Sequence, residues 1–205
     1  MVPDAAKASQ PGKHADILCA ALRLFADRGF HGTSIPMVLA EAGVGASSLY
    51  RRFPSKEALV NAVFRDAKQR LASELQASFD QALAPRALFA AFWTGLVRFA
   101  RREPDAFRFL ELQDHAAYLD AESRSLELGV LAPIYVACLD FQRRGVFRAD
   151  APTETILAFI WGAFVGLFKA ERTHHIALTD AALDAARDAC FRAFSAGDPA
   201  LPGPR

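Results

Sequence analysis

Apolar positions recur every three to four residues along most of the chain, which is the period of helices that bury one face. Stretches with this spacing cover residues 13–28, 34–42, 46–53, 55–83, 85–102, 105–118, 120–144, 151–172 and 180–195. The sequence has no internal repeat and no stretch that alternates as a half-buried strand does. The pattern therefore predicts an all-α fold of about nine helices.

One stretch, residues 33–57, has the pattern of two short helices around a tight turn. Ser34 stands where its hydroxyl can cap the first of these helices. Residues 43–45, Gly-Val-Gly, break the helix, since glycine tolerates the left-handed backbone that such a turn requires. Ser55 follows a proline and can cap the next, long helix. The stretch is typical of a helix-turn-helix that binds DNA.

Charge is distributed as expected for a chain whose N-terminal part binds nucleic acid. The 205 residues carry a formal net charge of only +1. Residues 1–56, however, contain seven Lys or Arg against four Asp or Glu, whereas the remainder contains 17 against 19. Hydrophobic residues make up 52% of the chain, which allows a sizeable core and excludes a largely disordered protein.

In these residues the chain resembles the TetR family of transcriptional regulators. The resemblance rests on Ala42-Gly43-Val44, Leu49-Tyr50-x-x-Phe53 and Ser55-Lys56-Glu57, preceded by Ile17-Leu18-x-Ala20-Ala21-x-x-Leu24-Phe25 and Gly29. It implies a three-helix DNA-binding domain at residues 12–71, with the helix-turn-helix at 34–53, and a ligand-binding and dimerisation domain at 72–196. We expect residues 1–11 and 197–205 to be disordered.

The candidate DNA-binding residues are small polar, phenolic and cationic side chains of the helix-turn-helix. The resemblance implies that the positions of Tyr50 and Lys56 contact phosphates. Gly45 stands where the family usually has serine, so base specificity cannot be transferred from relatives. A hairpin whose polar face is merely solvated is the alternative. The full set is Thr33, Ser34, Ala46, Ser47, Ser48, Tyr50, Arg51, Arg52 and Lys56.

The second part of the chain is rich in aromatic residues spread over several helices, which is compatible with a pocket for a flat or apolar molecule. Core packing is the alternative for any single aromatic residue, and the resemblance favours a ligand cavity for the region as a whole. The candidate ligand-binding residues are Trp93, Phe109, His115, Tyr118, Tyr135, Phe164 and Phe168.

Small residues four positions apart, Gly162 and Gly166, would let another helix approach closely. The resemblance implies that the last two helices form a four-helix interface between two subunits. Internal packing is the alternative. The candidate dimer residues are Trp161, Gly162, Gly166, Leu183, Cys190 and Phe194.

Other chemistry has weaker support in the sequence. Glu111 and His115 are four residues apart on a predicted helix, and an ion pair between them is favoured over a metal site. Cys19, Cys138 and Cys190 lack metal or CxxC spacing and are interpreted as buried, reduced thiols. The longest apolar run, residues 156–168, is shorter than a membrane span. We therefore expect no enzyme activity, no cofactor, no metal and no membrane partner.

Taken with the resemblance, these patterns predict a cytoplasmic, homodimeric transcriptional regulator. We expect a repressor that binds near-palindromic operator DNA and is released by a small hydrophobic or aromatic effector. The alternative is a helical carrier or enzyme for hydrophobic small molecules whose DNA-binding module is vestigial.

Overall fold

The computed structural model describes residues 10–80 and 82–196. Residues 1–9 and 197–205, part of the segments for which we expect disorder, lie outside these ranges. The described residues form nine helices and contain no strand beyond an isolated bridge between Phe147 and Ser195. The predicted all-α class is therefore confirmed. The helices are α1 (Gln10–Gly32), α2 (Ile35–Ala42), α3 (Ala46–Tyr50), α4 (Lys56–Ser78), α5 (Pro85–Arg102), α6 (Pro104–Leu112), α7 (Ala121–Arg143), α8 (Thr153–Arg172) and α9 (Asp180–Phe194).

Local side-chain chemistry explains where several helices begin and end. The hydroxyl of Ser55 accepts the backbone N–H of Ala58 at 3.1 Å, which caps α4 as predicted. Thr179 accepts the N–H of Ala182 and caps α9 in the same way. Inside α1, Gly29 has a φ of 69° and interrupts the regular helix, at the position where the sequence predicted its end.

Two helices end earlier than the apolar spacing indicates. The spacing predicts that α4 continues to residue 83 and that α6 continues to residue 118. In each case an aspartate just beyond the helix binds a backbone N–H two residues on, Asp80 that of Ala82 and Asp114 that of Ala116. These local bonds compete with the helical ones, so the chain turns there.

The chain divides into two compact units, and the divisions fall inside α4, α5 and α7. Of the described residues, the first unit contains 10–73 together with Arg98–Glu127, and in it α1 packs against α2 and α6. Its core includes the fully buried side chains Ile17, Phe25, Leu49, Leu59, Phe64, Phe99 and Phe109.

The second unit contains, within the described ranges, residues 74–80, 82–97 and 128–196, and in it α8 packs against α9. Its core includes Trp93, Leu96, Ile156 and Phe164. By length and composition alone, α7 and α8 are apolar enough to cross a membrane, which is also true of many helices in the cores of soluble proteins. Both helices line a cavity in this unit, which accounts for their apolar character.

Candidate nucleic-acid interface and internal cavity

The turn between α2 and α3 is built by the glycines that the sequence singled out. Gly43 adopts a left-handed conformation with a φ of 63° and donates its backbone N–H to Leu39. Gly45 precedes α3 in an extended conformation, and its carbonyl accepts the N–H groups of Ser48 and Leu49. Leu49 is fully buried, so the short helix is fixed to the module through its apolar side.

The opposite side of α3 is open to solvent. Ala46, Ser47, Tyr50 and Arg51 are exposed, and 51% of the surface of Tyr50 is accessible. Ser48 is half-buried. This surface offers two hydroxyls, a phenol and a guanidinium, which are groups that contact phosphates and base edges.

Arg52 differs from its neighbour Arg51, because it is half-buried and its guanidinium turns back along α3. It donates to the carbonyl of Ser48 at 3.1 Å and lies 3.3 Å from the hydroxyl of the same residue. The Arg52 side chain thus stabilises α3 through its bonds to Ser48, and it also adds positive charge to this surface.

Thr33 and Ser34 are adjacent but face different environments. Thr33 is only 2% exposed, and its hydroxyl lies 2.9 Å from the carbonyl of Gly29 and 3.1 Å from that of Leu24. It therefore fastens the end of α1 rather than pointing outwards. Ser34 is exposed at the N-terminus of α2, and its hydroxyl makes no capping bond there. Its oxygen and the first N–H groups of α2 remain on the surface.

Three residues predicted to bind ligand, Phe109, His115 and Tyr118, lie in the first unit, which also contains the helix-turn-helix. The imidazole of His115 bridges the other two, with Nε2 2.6 Å from the carbonyl of Phe109 and Nδ1 2.7 Å from the phenol of Tyr118. A carbonyl only accepts, so Nε2 carries the proton and Tyr118 donates to Nδ1. The predicted i, i+4 pair of Glu111 and His115 is wrong, because α6 ends before His115.

Burial decides the ionisation of this cluster. It lowers the pKa of His115, and the nearby ammonium of Lys68 lowers that pKa further. Burial also raises the pKa of Tyr118 to about 12. Glu111 lies 3.9 Å from the buried ammonium of Lys68, and Glu127 lies 3.3 Å from it. The cluster is thus a neutral hydrogen-bonded network beside a buried ion pair, and both belong to the structure of the first unit.

The second unit contains a cavity of about 680 Å³ between α5, α7 and α8. Its volume lies in the range of pockets that bind small molecules. Almost all of its lining is aliphatic or aromatic. The lining residues are Phe79, Leu88, Phe89, Phe92, Leu128, Leu131, Ala132, Ile134, Tyr135, Val136, Ala137, Cys138, Phe141, Phe147, Glu154, Leu157, Ala158, Ile160 and Trp161.

Of the residues predicted to bind ligand, Tyr135 lines this cavity. Trp93, Phe164 and Phe168 are buried in the same unit, with the rings of Trp93 and Phe164 5.3 Å apart and edge to face. They form part of the packed core and are not among the residues that line the cavity.

Family comparisons agree with this layout. A model of bacterial regulatory proteins of the tetR family matches residues 17–63, and a model of the tetracyclin repressor-like C-terminal domain matches residues 64–196. Together the two matches cover both parts of the predicted fold. The chain belongs to the TetR family.

Curated relatives of this TetR-family chain are transcriptional regulators. The HTH-type transcriptional repressor KstR2 of Mycolicibacterium smegmatis is 38% identical over 86 residues, covering 42% of this chain and 41% of the relative. The HTH-type transcriptional regulator RutR of Escherichia coli is 38% identical over 96 residues, covering 47% and 45%. The chain thus spans less than half the length of these first relatives.

Solved structures extend the likeness over nearly the whole chain. A putative TetR-family regulator from Shewanella superposes with a TM-score of 0.76 at 27% identity, covering 89% of this chain and 98% of its own. A TetR-family regulator from Marinobacter aquaeolei has the same fold, with a TM-score of 0.81, 22% identity, and coverage of 91% and 97%. The resemblance inferred from the helix-turn-helix is therefore confirmed.

The residues predicted for the dimer interface fall into three environments. Leu183, Cys190 and Phe194 are buried within the single chain. Trp161 lines the cavity. Gly162 and Gly166 are exposed on α8.

Next to these glycines lies a feature that the sequence analysis missed, an exposed Phe159 with 55% of its surface accessible. Phe159, Gly162 and Gly166 share one face of α8 by their spacing. On α9, Ala181, Ala185 and Ala189 are exposed in the same way. These two faces present small and aromatic side chains to solvent.

Most of the aliphatic residues that line the cavity were missed in the sequence, and they include Leu128, Leu131 and Val136. The available signal was that α7 carries apolar residues all round its middle part. Leu131 and Val136 remain 46% and 63% exposed, although they line the cavity. Apolar side chains that line a cavity and remain exposed indicate a surface that a partner can cover, and not a packed core.

The cysteines differ from one another. Cys138 and Cys190 are buried as expected, and burial raises the pKa of Cys138 to about 11. The expectation is wrong for Cys19, which is exposed and accepts a hydrogen bond from Arg23. Among residues 10–80 and 82–196, no group of three or more His, Cys, Asp or Glu could hold a metal ion.

Proposed function

We propose that this TetR-family regulator is a homodimeric repressor that binds near-palindromic operator DNA and is released by a small apolar effector. The observation that carries the DNA-binding part is the exposed side of α3, where Tyr50 and Arg51 stand beside the small side chains of Ala46 and Ser47. In a helix-turn-helix, such a second helix enters the major groove, and neighbouring cations and hydroxyls contact phosphates.

The proposed phosphate contacts are Ser34, Tyr50, Arg51 and Lys56, with Arg52 adding charge behind them. Ala46, Ser47 and Ser48 would face base edges. Serine both donates and accepts and alanine makes only apolar contacts, so this helix reads bases weakly by direct contact. Thr33 acts instead by holding the end of α1 in place.

The proposed dimer interface is the pair of exposed faces on α8 and α9. It consists of Phe159, Gly162 and Gly166 together with the exposed alanines of α9. Small residues allow two helices to approach closely, and Phe159 would leave water on association. A two-fold axis through these faces would give the operator its near-palindromic symmetry.

The cavity of the second unit is the proposed effector site. It is the right size for a small molecule, and its exposed leucine and valine side chains would gain from being covered. An effector releases DNA only to the extent that it prefers the conformation with lower DNA affinity. The chain reaches from one unit to the other through α4, which begins at Lys56.

The test is DNA binding by the full chain, measured by fluorescence anisotropy with the DNA upstream of its own gene. The affinity should fall steeply with salt, because phosphate contacts release counterions. The double variant Arg51→Ala, Lys56→Ala should weaken binding to every sequence alike, and Arg143→Ala with Lys169→Ala serves as a charge-matched control. Binding that is absent, or that ignores salt, would refute the repressor.

The rival function is a helical carrier or enzyme for apolar molecules, which the size of the cavity also suits. The same experiment separates the two, since a carrier would bind small molecules without binding DNA. We propose that the protein acts in the cytoplasm, because its operator is there, and that it has no enzymatic activity of its own.

A further inference from the structure

The described residues that line the cavity include an acidic side chain and no basic one. Of the 19 lining residues, Glu154 alone carries a formal charge, and no Lys, Arg or His is among them. Three others have polar atoms, namely Tyr135, Cys138 and Trp161. Among the residues that the structure describes, the cavity thus offers an acidic group and no basic one.

Glu154 is held in place by the start of α8. Its neighbour Thr153 donates its hydroxyl to the side-chain carbonyl of Gln142 near the end of α7. The amide nitrogen of Gln142 in turn donates to the carbonyls of Arg148 at 2.9 Å and Ala151 at 2.8 Å. The first turn of α8 is therefore fixed against the connection from α7, and Glu154 occupies a defined position at the cavity.

The carboxylate of Glu154 is oriented by a residue of the facing helix. The phenol of Tyr135 donates to Oε1 of Glu154 at 3.0 Å. This hydrogen bond raises the pKa of Tyr135, so the phenol stays protonated and acts as the donor. A carboxylate has several acceptor positions and the phenol uses one of them. The others can accept from a bound molecule.

We infer that the cavity binds an apolar molecule that carries a hydrogen-bond donor, neutral or cationic, and no acidic group. This inference rests on the proposed function in treating the cavity as the effector site. A hydroxyl or ammonium group can donate to Glu154 while the body of the molecule covers the leucine, valine and aromatic side chains. An acidic molecule would bring a second negative charge beside Glu154 and would meet no cation of the described lining.

A series of three probes that differ only in the head group tests this selectivity. We would titrate 1-decanol, decylamine and decanoate into the full-length protein at pH 7.5 and follow tryptophan fluorescence. Trp161 lines the cavity, and the variant Trp161→Phe should remove the signal that reports it. Decanol and decylamine should bind about tenfold more tightly than decanoate, a difference of about 1.4 kcal/mol, because the head group of decanoate would lie close to the carboxylate of Glu154.

Substitutions assign the selectivity to Glu154. Glu154→Gln keeps the shape of the side chain and removes its charge. The affinity for decanoate should then lie within about threefold of that for decanol, and decylamine should no longer bind more tightly than decanoate. Glu171→Gln, at the other end of α8, removes the same charge away from the cavity and should leave the ranking unchanged. Leu131→Lys adds a cation to an exposed lining position and should turn the preference towards decanoate.

The inference is overturned if decanoate binds as tightly as decanol to the unmodified protein, or if the ranking survives Glu154→Gln. It is also overturned if none of the three probes binds. Those outcomes do not contradict the proposal that the protein binds operator DNA, because DNA binding is measured in a separate experiment. Loss of DNA binding with the head-group ranking intact would instead refute the repressor and leave the selectivity of the cavity in place.

Discussion

The ammonium of Lys56 lies 4.1 Å from the centroid of the Phe30 ring. The same ring stacks on Tyr118, with centroids 4.4 Å apart. A cation over an aromatic face gains about 0.5–1 kcal/mol at a partly exposed site. Lys56, which is proposed to contact phosphate, is therefore oriented by Phe30 of α1. Phe30 in turn packs on Tyr118 in the loop between α6 and α7.

Removing the ring should separate the orientation of Lys56 from its charge. Phe30→Leu keeps an apolar side chain but loses the aromatic face, so DNA affinity should fall by about three- to fivefold. The slope of affinity against salt should not change, because the number of cations is the same. Lys56→Ala should instead lower that slope by about one. Both follow from anisotropy titrations at several salt concentrations.

Lys169→Ala is the control, since Lys169 lies on α8 in the second unit. It should change neither the affinity nor the slope by a measurable amount. If Phe30→Leu leaves DNA affinity unchanged while the protein stays folded, the ring does not orient Lys56 for phosphate.

The buried imidazole of His115 should make stability depend on pH. Its pKa is lowered in the folded state, mainly by burial, so the unfolded chain binds a proton more readily. The free energy of unfolding should then be highest above the ordinary histidine pKa of about 6.5 and should decrease as the pH falls below it. Asp120, Asp150 and Asp188 also have lowered pKa values, but they lose their contribution only at more acidic pH.

Urea unfolding at pH 7.5, 6.5 and 5.5 measures this effect. His115→Gln should be less stable than the parent at pH 7.5, because the bonds to Phe109 and Tyr118 are disturbed, and its stability should change less between the three pH values. His174→Asn changes an exposed histidine in a left-handed conformation and should keep the parent's pH dependence. Equal slopes in His115→Gln and the parent would contradict the assignment.

The helix-turn-helix could be predicted from sequence because its determinants are local. Gly43 in its left-handed turn and Ser55 at its cap act over three or four residues, so their spacing alone defines them. The same holds for Thr179 at the start of α9. The sequence correctly predicts Ser34 at the N-terminus of α2, but the Ser34 hydroxyl makes no capping hydrogen bond there.

The residues of the proposed effector cavity could not be assigned in this way, because lining a cavity depends on tertiary packing. Phe92 lines the cavity and Trp93 is buried in the core, although they are adjacent and equally apolar. The sequence predicts His115 and Tyr118 as polar groups of a pocket, whereas the turn at Asp114 ends α6 and both residues lie in the first unit. Periodicity does not distinguish these outcomes, since core and cavity walls have the same composition.

The exposed glycines of α8 allow a test of the dimer. A Cβ added at Gly162 would meet no heavy atom within 4 Å beyond its own stretch of helix, so Gly162→Arg should fold normally. In the proposed dimer the arginine would separate the two copies of α8, and the variant should be monomeric by analytical ultracentrifugation. Its affinity for the full operator should drop at least about tenfold, because two half-sites are no longer bound together.

Gly129→Arg is the matched control for this substitution. Gly129 is also an open helical glycine, on α7, and a Cβ added there meets no heavy atom within 4 Å beyond its own stretch of helix. The control should keep both the oligomeric state and the operator affinity. A dimeric Gly162→Arg would place the interface elsewhere on the surface.

Asn61 ties α4 to the chain that precedes α7 and should be the most sensitive polar position of the first unit. It is 2% exposed, its Nδ2 lies 2.8 Å from the carbonyls of both Glu57 and Tyr118, and its Oδ1 accepts the N–H of Asp120 at 2.9 Å. Asn61→Leu has a similar volume but leaves the Tyr118 carbonyl and the Asp120 N–H without this partner. The free energy of unfolding should fall by about 2–4 kcal/mol, since each buried unpaired group costs about 1–3 kcal/mol.

Gln69→Leu, at an exposed position of the same helix, is the control and should lower the free energy of unfolding by less than about 0.5 kcal/mol. Urea unfolding of both variants at pH 7.5 measures the difference, and a loss below about 1 kcal/mol for Asn61→Leu would mean that water or a rearranged loop replaces the amide.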